Sequence, residues 1–109
     1  MDTLNAIETL GALSQETRLE AFRTLVRHEP EGLPAGEIAR QLSVPQNTMS
    51  THLAILVNAG LAVSRREGRS VVYRARLATM EGLVGYLLKD CCQGQACLPN
   101  IETTKGQCR

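Results

Sequence analysis

No stretch of this sequence is apolar over anything near the ~20 residues that a membrane-spanning helix requires. The opening residues Met1-Asp2-Thr3-Leu4 lack the charged-then-apolar pattern of a secretory leader. The expectation is a cytoplasmic protein without a membrane partner, in a compartment that keeps thiols reduced. Also missing are a phosphate-cradling glycine loop, an acid/base pair in a plausible cleft, and a Cys-x-x-Cys motif ahead of a helix, so an enzyme is not expected. There is no internal repeat and no low-complexity tract. What remains is ordinary globular composition, 43% hydrophobic and 21% charged over 109 residues. That length gives one small domain whose core gains from a partner subunit.

Helical spacing of Leu4, Ile7, Leu10 and Leu13 predicts a first helix over Asp2 to Leu13. Ser14 is an expected N-cap for a second helix, with Leu19, Phe22, Leu25 and Val26 on one face. Glu29 to Pro34, rich in Pro, Gly and Glu, reads as a loop. A third helix is expected over Ala35 to Leu42, with Ile38, Ala39 and Leu42 inward. After the turn Ser43-Val44-Pro45-Gln46, a fourth runs from Pro45 to about Ala59, with Gly60 closing it. Leu61 to Glu67 and Ser70 to Arg76 form a hairpin about Gly68-Arg69, and a fifth helix covers about Ala78 to Cys91. The expected organisation is a domain over residues 1–92 and a flexible cysteine-containing tail over 93–109. Two helices about a tight turn, followed by a hairpin, give a mainly α, winged helix-turn-helix fold: five helices with a two-stranded β wing.

The net charge of +1 says little, but its distribution says more: Arg65, Arg66, Arg69, Arg74 and Arg76, half of the ten arginines, crowd into the hairpin. Such a cluster is either a solvated surface or a phosphate-binding wing. On the fourth helix Met49, Leu53, Leu56 and Val57 share an inward face. The other side carries Asn47, Thr48, Thr51, Ile55 and Asn58, with His52 at its flank. Short hydrogen-bonding side chains at the start of such a helix are suited to base edges in a major groove. The candidate DNA-contacting residues are therefore Gln46, Asn47, Thr48, Ser50, Thr51, His52, Arg65, Arg66 and Arg69.

The segments Leu13-Ser14-Gln15-Glu16-Thr17-Arg18-Leu19, Glu37-Ile38-Ala39, Ser50-Thr51-His52-Leu53, Ala59-Gly60-Leu61 and Arg66-Glu67-Gly68-Arg69, together with Leu56 and Tyr73, closely resemble the ArsR/SmtB family of metalloregulatory repressors. The resemblance spans roughly residues 4 to 90. It implies a homodimer pairing through its first and fifth helices, bound to an imperfect inverted repeat of double-stranded operator DNA in its own promoter. It also makes His52 a DNA contact or a structural polar residue rather than a metal ligand. One departure stands out: Ala54-Ile55 follows the His52-Leu53 pair, where family members often carry a basic residue, which shifts phosphate contact toward the wing.

The family does not fix the inducer. One family site needs cysteines in the helix before the recognition helix, where this chain has Leu33-Pro34-Ala35-Gly36-Glu37-Ile38-Ala39. Another needs Asp and His along the last helix, and Glu81 to Lys89 holds no histidine. All four cysteines, Cys91, Cys92, Cys97 and Cys108, lie at the end of the chain. Three thiolates make a trigonal pyramid suited to trivalent arsenic or antimony, and some arsenic-responsive members carry a similar tail. Cys91, Cys92 and Cys97 are the candidate metalloid ligands, and arsenite or antimonite the candidate inducer. A thiol sensor of cadmium, lead or zinc, or a redox-responsive repressor, stays open as the alternative.

Overall fold

A computed structural model describes residues 1–89, ordered as α1 (Thr3–Leu13), α2 (Glu16–Arg27), β1 (Leu33–Pro34), α3 (Ala35–Leu42), α4 (Gln46–Asn58), β2 (Ala62–Glu67), β3 (Ser70–Ala75) and α5 (Leu77–Leu87). The expected cysteine ligands Cys91, Cys92 and Cys97, Cys108, and the tail lie outside the described residues. Five helices and a hairpin appear in the expected order, so the fold is a winged helix-turn-helix.

Each boundary has a local cause. Asp2 caps α1 by accepting from the Asn5 N–H at 2.8 Å. Ser14 does not cap α2 as expected. Its hydroxyl donates back to the Gly11 carbonyl at 2.8 Å and closes α1. Gln15, one residue on and extended, caps α2 through its side-chain oxygen and the Arg18 N–H. Between α3 and α4 Ser43 takes a left-handed conformation, φ 57°, while the Val44 N–H returns to the Ala39 carbonyl at 3.0 Å. That reversal, followed by Pro45, turns the chain into α4, which packs against α3. The hairpin turn has a positive φ at Gly68 alone, the sign pattern of a type II′ turn, which suits the twist of the strands it joins.

The core is a cluster of Phe22, Leu25, Ile38, Met49, Leu53, Leu56 and Leu61 with alanines from α1, α2, α3 and the sheet. Each buried leucine stabilises the fold by about 1.5–3 kcal/mol relative to exposure. Two buried threonines, Thr9 and Thr24, satisfy their hydroxyls on the carbonyls four residues earlier in their helices. Leu19 and Val26, expected inward on α2, are exposed, because Ala21, Phe22, Thr24 and Leu25 occupy the inner face. Ile55, expected outward on α4, is half-buried and packs against the core. On α5, Leu83 is the buried residue and Met80 packs on the core, while Leu87 is exposed. That helix closes at Leu87, where the Lys89 N–H tightens onto the Tyr86 carbonyl, short of the expected end at Cys91.

The sheet has a third strand that the loop reading of Glu29 to Pro34 missed. Its order is β1-β3-β2, with Leu33 opposite Tyr73 and Pro34 opposite Val72. Two residues are too few to show an alternating pattern, and proline is tolerated because β1 is an edge. The approach is close. Gly32 has φ +80°, and a Cβ there would lie 2.5 Å from the Tyr73 carbonyl oxygen. A second tie is the two-pronged ion pair of Arg74 on β3 with Glu29, at 2.7 and 3.3 Å. The guanidinium hydrogen bonds hold the Glu29 carboxyl below the usual carboxylate range. A depressed carboxyl stabilises the fold above its unfolded titration and loses that contribution as pH falls through the folded one. Glu29→Gln is therefore expected to flatten the acid side of a melting-temperature profile while changing its slope little above neutrality. An unchanged acid limb would contradict this pairing.

Candidate nucleic-acid interface

The amino-terminal half of α4 presents Gln46, Asn47, Thr48, Ser50 and Thr51 to solvent, with Met49 and Leu53 buried behind them. This alternation follows from helical geometry, since Met49, Leu53 and Leu56 recur at spacings of four and three. Pro45 precedes the helix without a side-chain cap, and the first turn carries no acidic residue. The positive end of the helix dipole therefore faces outward unopposed by local carboxylates. Asn47 folds its side-chain oxygen onto the Thr48 N–H at 2.9 Å, and Thr51 donates to the Asn47 carbonyl at 3.3 Å. Both side chains keep further hydrogen-bonding capacity toward solvent.

Wing and helix meet around one cleft of about 320 Å³ lined by Gln46 and Ser50 of α4, Gly36 of α3, and Arg69, Val71 and Tyr73 of the hairpin. Gly36 lets the Gln46 amide lie close; a Cβ there would be 3.3 Å from its oxygen. Strand register then sorts the arginines. Arg66 lies opposite Val71 and so shares the face that borders the cleft; Arg65 lies opposite Val72 on the reverse face. Arg65 is also paired with Glu67 at 2.6 Å. Among the described residues Arg66 and Arg69 form no ion pair, and both are exposed. Arg74, counted with the cluster in the sequence, is committed to Glu29. Of the residues expected to contact DNA, the structure thus gathers Gln46, Ser50 and Arg69 around one cleft, with Arg66 on the same face of the wing. It leaves Asn47, Thr48 and Thr51 along the exposed helix and turns Arg65 away.

His52 is half-buried at the flank of α4, its Nδ1 3.4 Å from an Arg18 guanidinium nitrogen. Arg18 is a polar contact that sequence reasoning did not single out, although it stands inside the Leu13–Leu19 segment. Among the described residues no group of three His, Cys, Asp or Glu side chains is placed to hold a metal ion. No described helix is long and apolar enough to cross a membrane.

A helix-turn-helix domain model matches residues 13–65. The chain is 32% identical to the biofilm growth-associated repressor of Xylella fastidiosa over 83 residues, 76% of this chain and 70% of that protein. The structure superimposes on an ArsR-like transcriptional regulator from Rhodococcus sp. RHA1 with a TM-score of 0.68 and 30% identity, covering 77% of this chain and 76% of the other. The chain belongs to the ArsR/SmtB family of winged helix-turn-helix regulators. Another relative of this ArsR/SmtB protein is the transcriptional activator HlyU of Vibrio cholerae, 29% identical over 92 residues, 84% of this chain and 82% of HlyU. Such proteins are transcriptional regulators, not enzymes.

Proposed function

We propose that the protein is a cytoplasmic repressor that binds palindromic operator DNA as a homodimer. Trivalent arsenic or antimony, held by Cys91, Cys92 and Cys97, releases it. The observation that carries the DNA reading is the shared cleft, which puts the polar start of α4 and the cationic wing on one side of the molecule. Asn47, Thr48, Ser50 and Thr51 supply base-edge contacts, Gln46 borders them, and Arg66 and Arg69 supply phosphate contacts. Pairing of two copies through α1 and α5 would present two such helices to half-sites one helical turn apart, ~34–36 Å, or a multiple of it. The metalloid reading is supported by the chemistry of the thiols: an adjacent pair plus a third a few residues on matches a three-coordinate soft ion better than a tetrahedral one.

Fluorescence anisotropy of a labelled duplex from the protein's own promoter tests the DNA reading. Affinity is expected to fall steeply with salt. Arg66→Ala is expected to weaken binding to operator and random DNA alike and to reduce the salt slope by about one unit. Arg65→Ala, on the reverse face and already neutralised by Glu67, is expected to do much less. Equal effects of the two substitutions, or salt-independent binding, would contradict this placement of the wing.

A further inference from the structure

Arg18 touches three elements at once. Its backbone N–H completes the cap of α2 on Gln15. Its Nε donates to the Ala12 carbonyl at 2.7 Å, and Nη1 reaches His52 Nδ1 at 3.4 Å. Ala12 lies in the last turn of α1, where helix carbonyls have no helical partner and the dipole is negative, so a guanidinium is favoured there. The same planar group then continues to α4. No other described side chain is hydrogen-bonded to both α1 and α4.

We propose that Arg18 is a positioning residue that fixes the tautomer and orientation of His52 on the recognition helix and ties them to the end of the dimerisation helix. The argument is one of donors and acceptors. A guanidinium keeps its proton and only donates, so the imidazole nitrogen facing it must accept. The neutral His52 ring therefore carries its hydrogen on Nε2, which presents one fixed donor rather than two interchangeable nitrogens. The second histidine of the chain provides the contrast. His28 Nδ1 lies 2.9 Å from the Thr24 carbonyl oxygen, which only accepts, so that ring carries its hydrogen on Nδ1. The two imidazoles of this protein hold opposite tautomers. Because Ala12 closes α1, any shift of α1 relative to α4 moves or breaks this link and alters the donor that α4 offers to DNA. This inference rests on the reading of α4 as the DNA helix, but the tautomer does not.

The test uses the full-length protein labelled with nitrogen-15 histidine, in mildly alkaline buffer. Long-range proton–nitrogen spectra are expected to show one ring of each tautomer, with His52→Ala assigning them. Arg18→Lys keeps a cation that reaches the Ala12 carbonyl but lacks the fork. It is expected to melt and dimerise as the wild type does while His52 becomes a mixture and His28 is unmoved. Operator affinity supplies the functional readout. Arg18→Ala and His52→Ala are each expected to weaken binding about tenfold, the scale of one lost specific contact. The double variant should be no weaker than either single one. Should Arg18→Ala fail to fold, Arg18→Lys takes its place in the cycle. An Nδ1–H tautomer at His52 in the wild type, or single effects that multiply in the double variant, overturns the proposal. A wild type that binds no promoter duplex overturns the DNA reading instead, and the tautomer spectrum still decides the Arg18 link.

Discussion

Ile7→Glu is expected to leave the fold intact, to dissociate the protein into monomers at micromolar concentration, and to weaken operator binding by roughly 10²–10⁴-fold. On α1, Leu4, Ile7 and Leu10 are 65%, 59% and 43% exposed, and on α5 Leu77 and Leu87 are 42% and 54% exposed. The inner face of α1 is carried by Ala6, Thr9 and Ala12, so Leu4, Ile7 and Leu10 stand outside the core of their own subunit. A row of large apolar side chains at helical spacing, left in water, is the pattern of a surface covered by another copy. A glutamate at its centre costs little in the free subunit, where it is solvated. In the paired one it would be desolvated without a partner, which is prohibitive. A monomer would retain its cleft but engage one half-site, and the second half-site would no longer add to affinity. Sedimentation velocity and operator anisotropy on the same samples check both halves. A monomeric variant with wild-type affinity would show that one subunit suffices, and a monomeric wild type would remove the interface altogether.

The second large effect concerns the inducer. Cys91→Ser or Cys92→Ser is expected to leave operator affinity within about twofold of wild type and to abolish release by arsenite. The side chains proposed to contact DNA fall between Gln46 and Arg69, well before these positions in the chain. A single thiolate or a hydroxyl pair cannot replace the chelate that a soft trivalent ion requires. Cys97→Ser should weaken the response without removing it, and Cys108→Ser should be nearly silent. Titration with arsenite, antimonite, zinc and cadmium under reducing conditions separates the alternatives. Zinc acting at lower concentration than arsenite would favour a divalent-metal sensor, release by oxidant alone a redox one. A Cys91→Ser/Cys92→Ser double variant that still responds would place the site elsewhere.

Most of the fold was legible because its signals are periodic. Met49, Leu53 and Leu56 announce the inner face of α4, and Gly68-Arg69 marks the hairpin turn. Local end chemistry was less legible. Ser14 and Gln15 are both competent caps, and only the point where α1 stops decides which helix each one serves. Burial at the domain edge was also hidden. The apolar spacing of α1 is the same whether its leucines face their own core or another subunit, and the small residues Ala6 and Ala12 turn out to hold the inside. At the site, the outward polar residues were readable from helical phase. The inequality of Arg65 and Arg66 was not, since it depends on cross-strand register and on Glu67. The Arg18–His52 contact joins residues 34 apart, and no local pattern encodes it.

The two-residue strand β1 has a mechanical consequence. Because it bonds to β3, the chain entering the helix-turn-helix is stitched to the middle of the wing, and the Arg74–Glu29 pair adds a second stitch beside it. Both ties oppose an independent swing of helix and wing, so each protomer would move as a stamp of fixed relief. In the dimer proposed above, loosening the grip on DNA would then come through the angle at which the two copies are mounted.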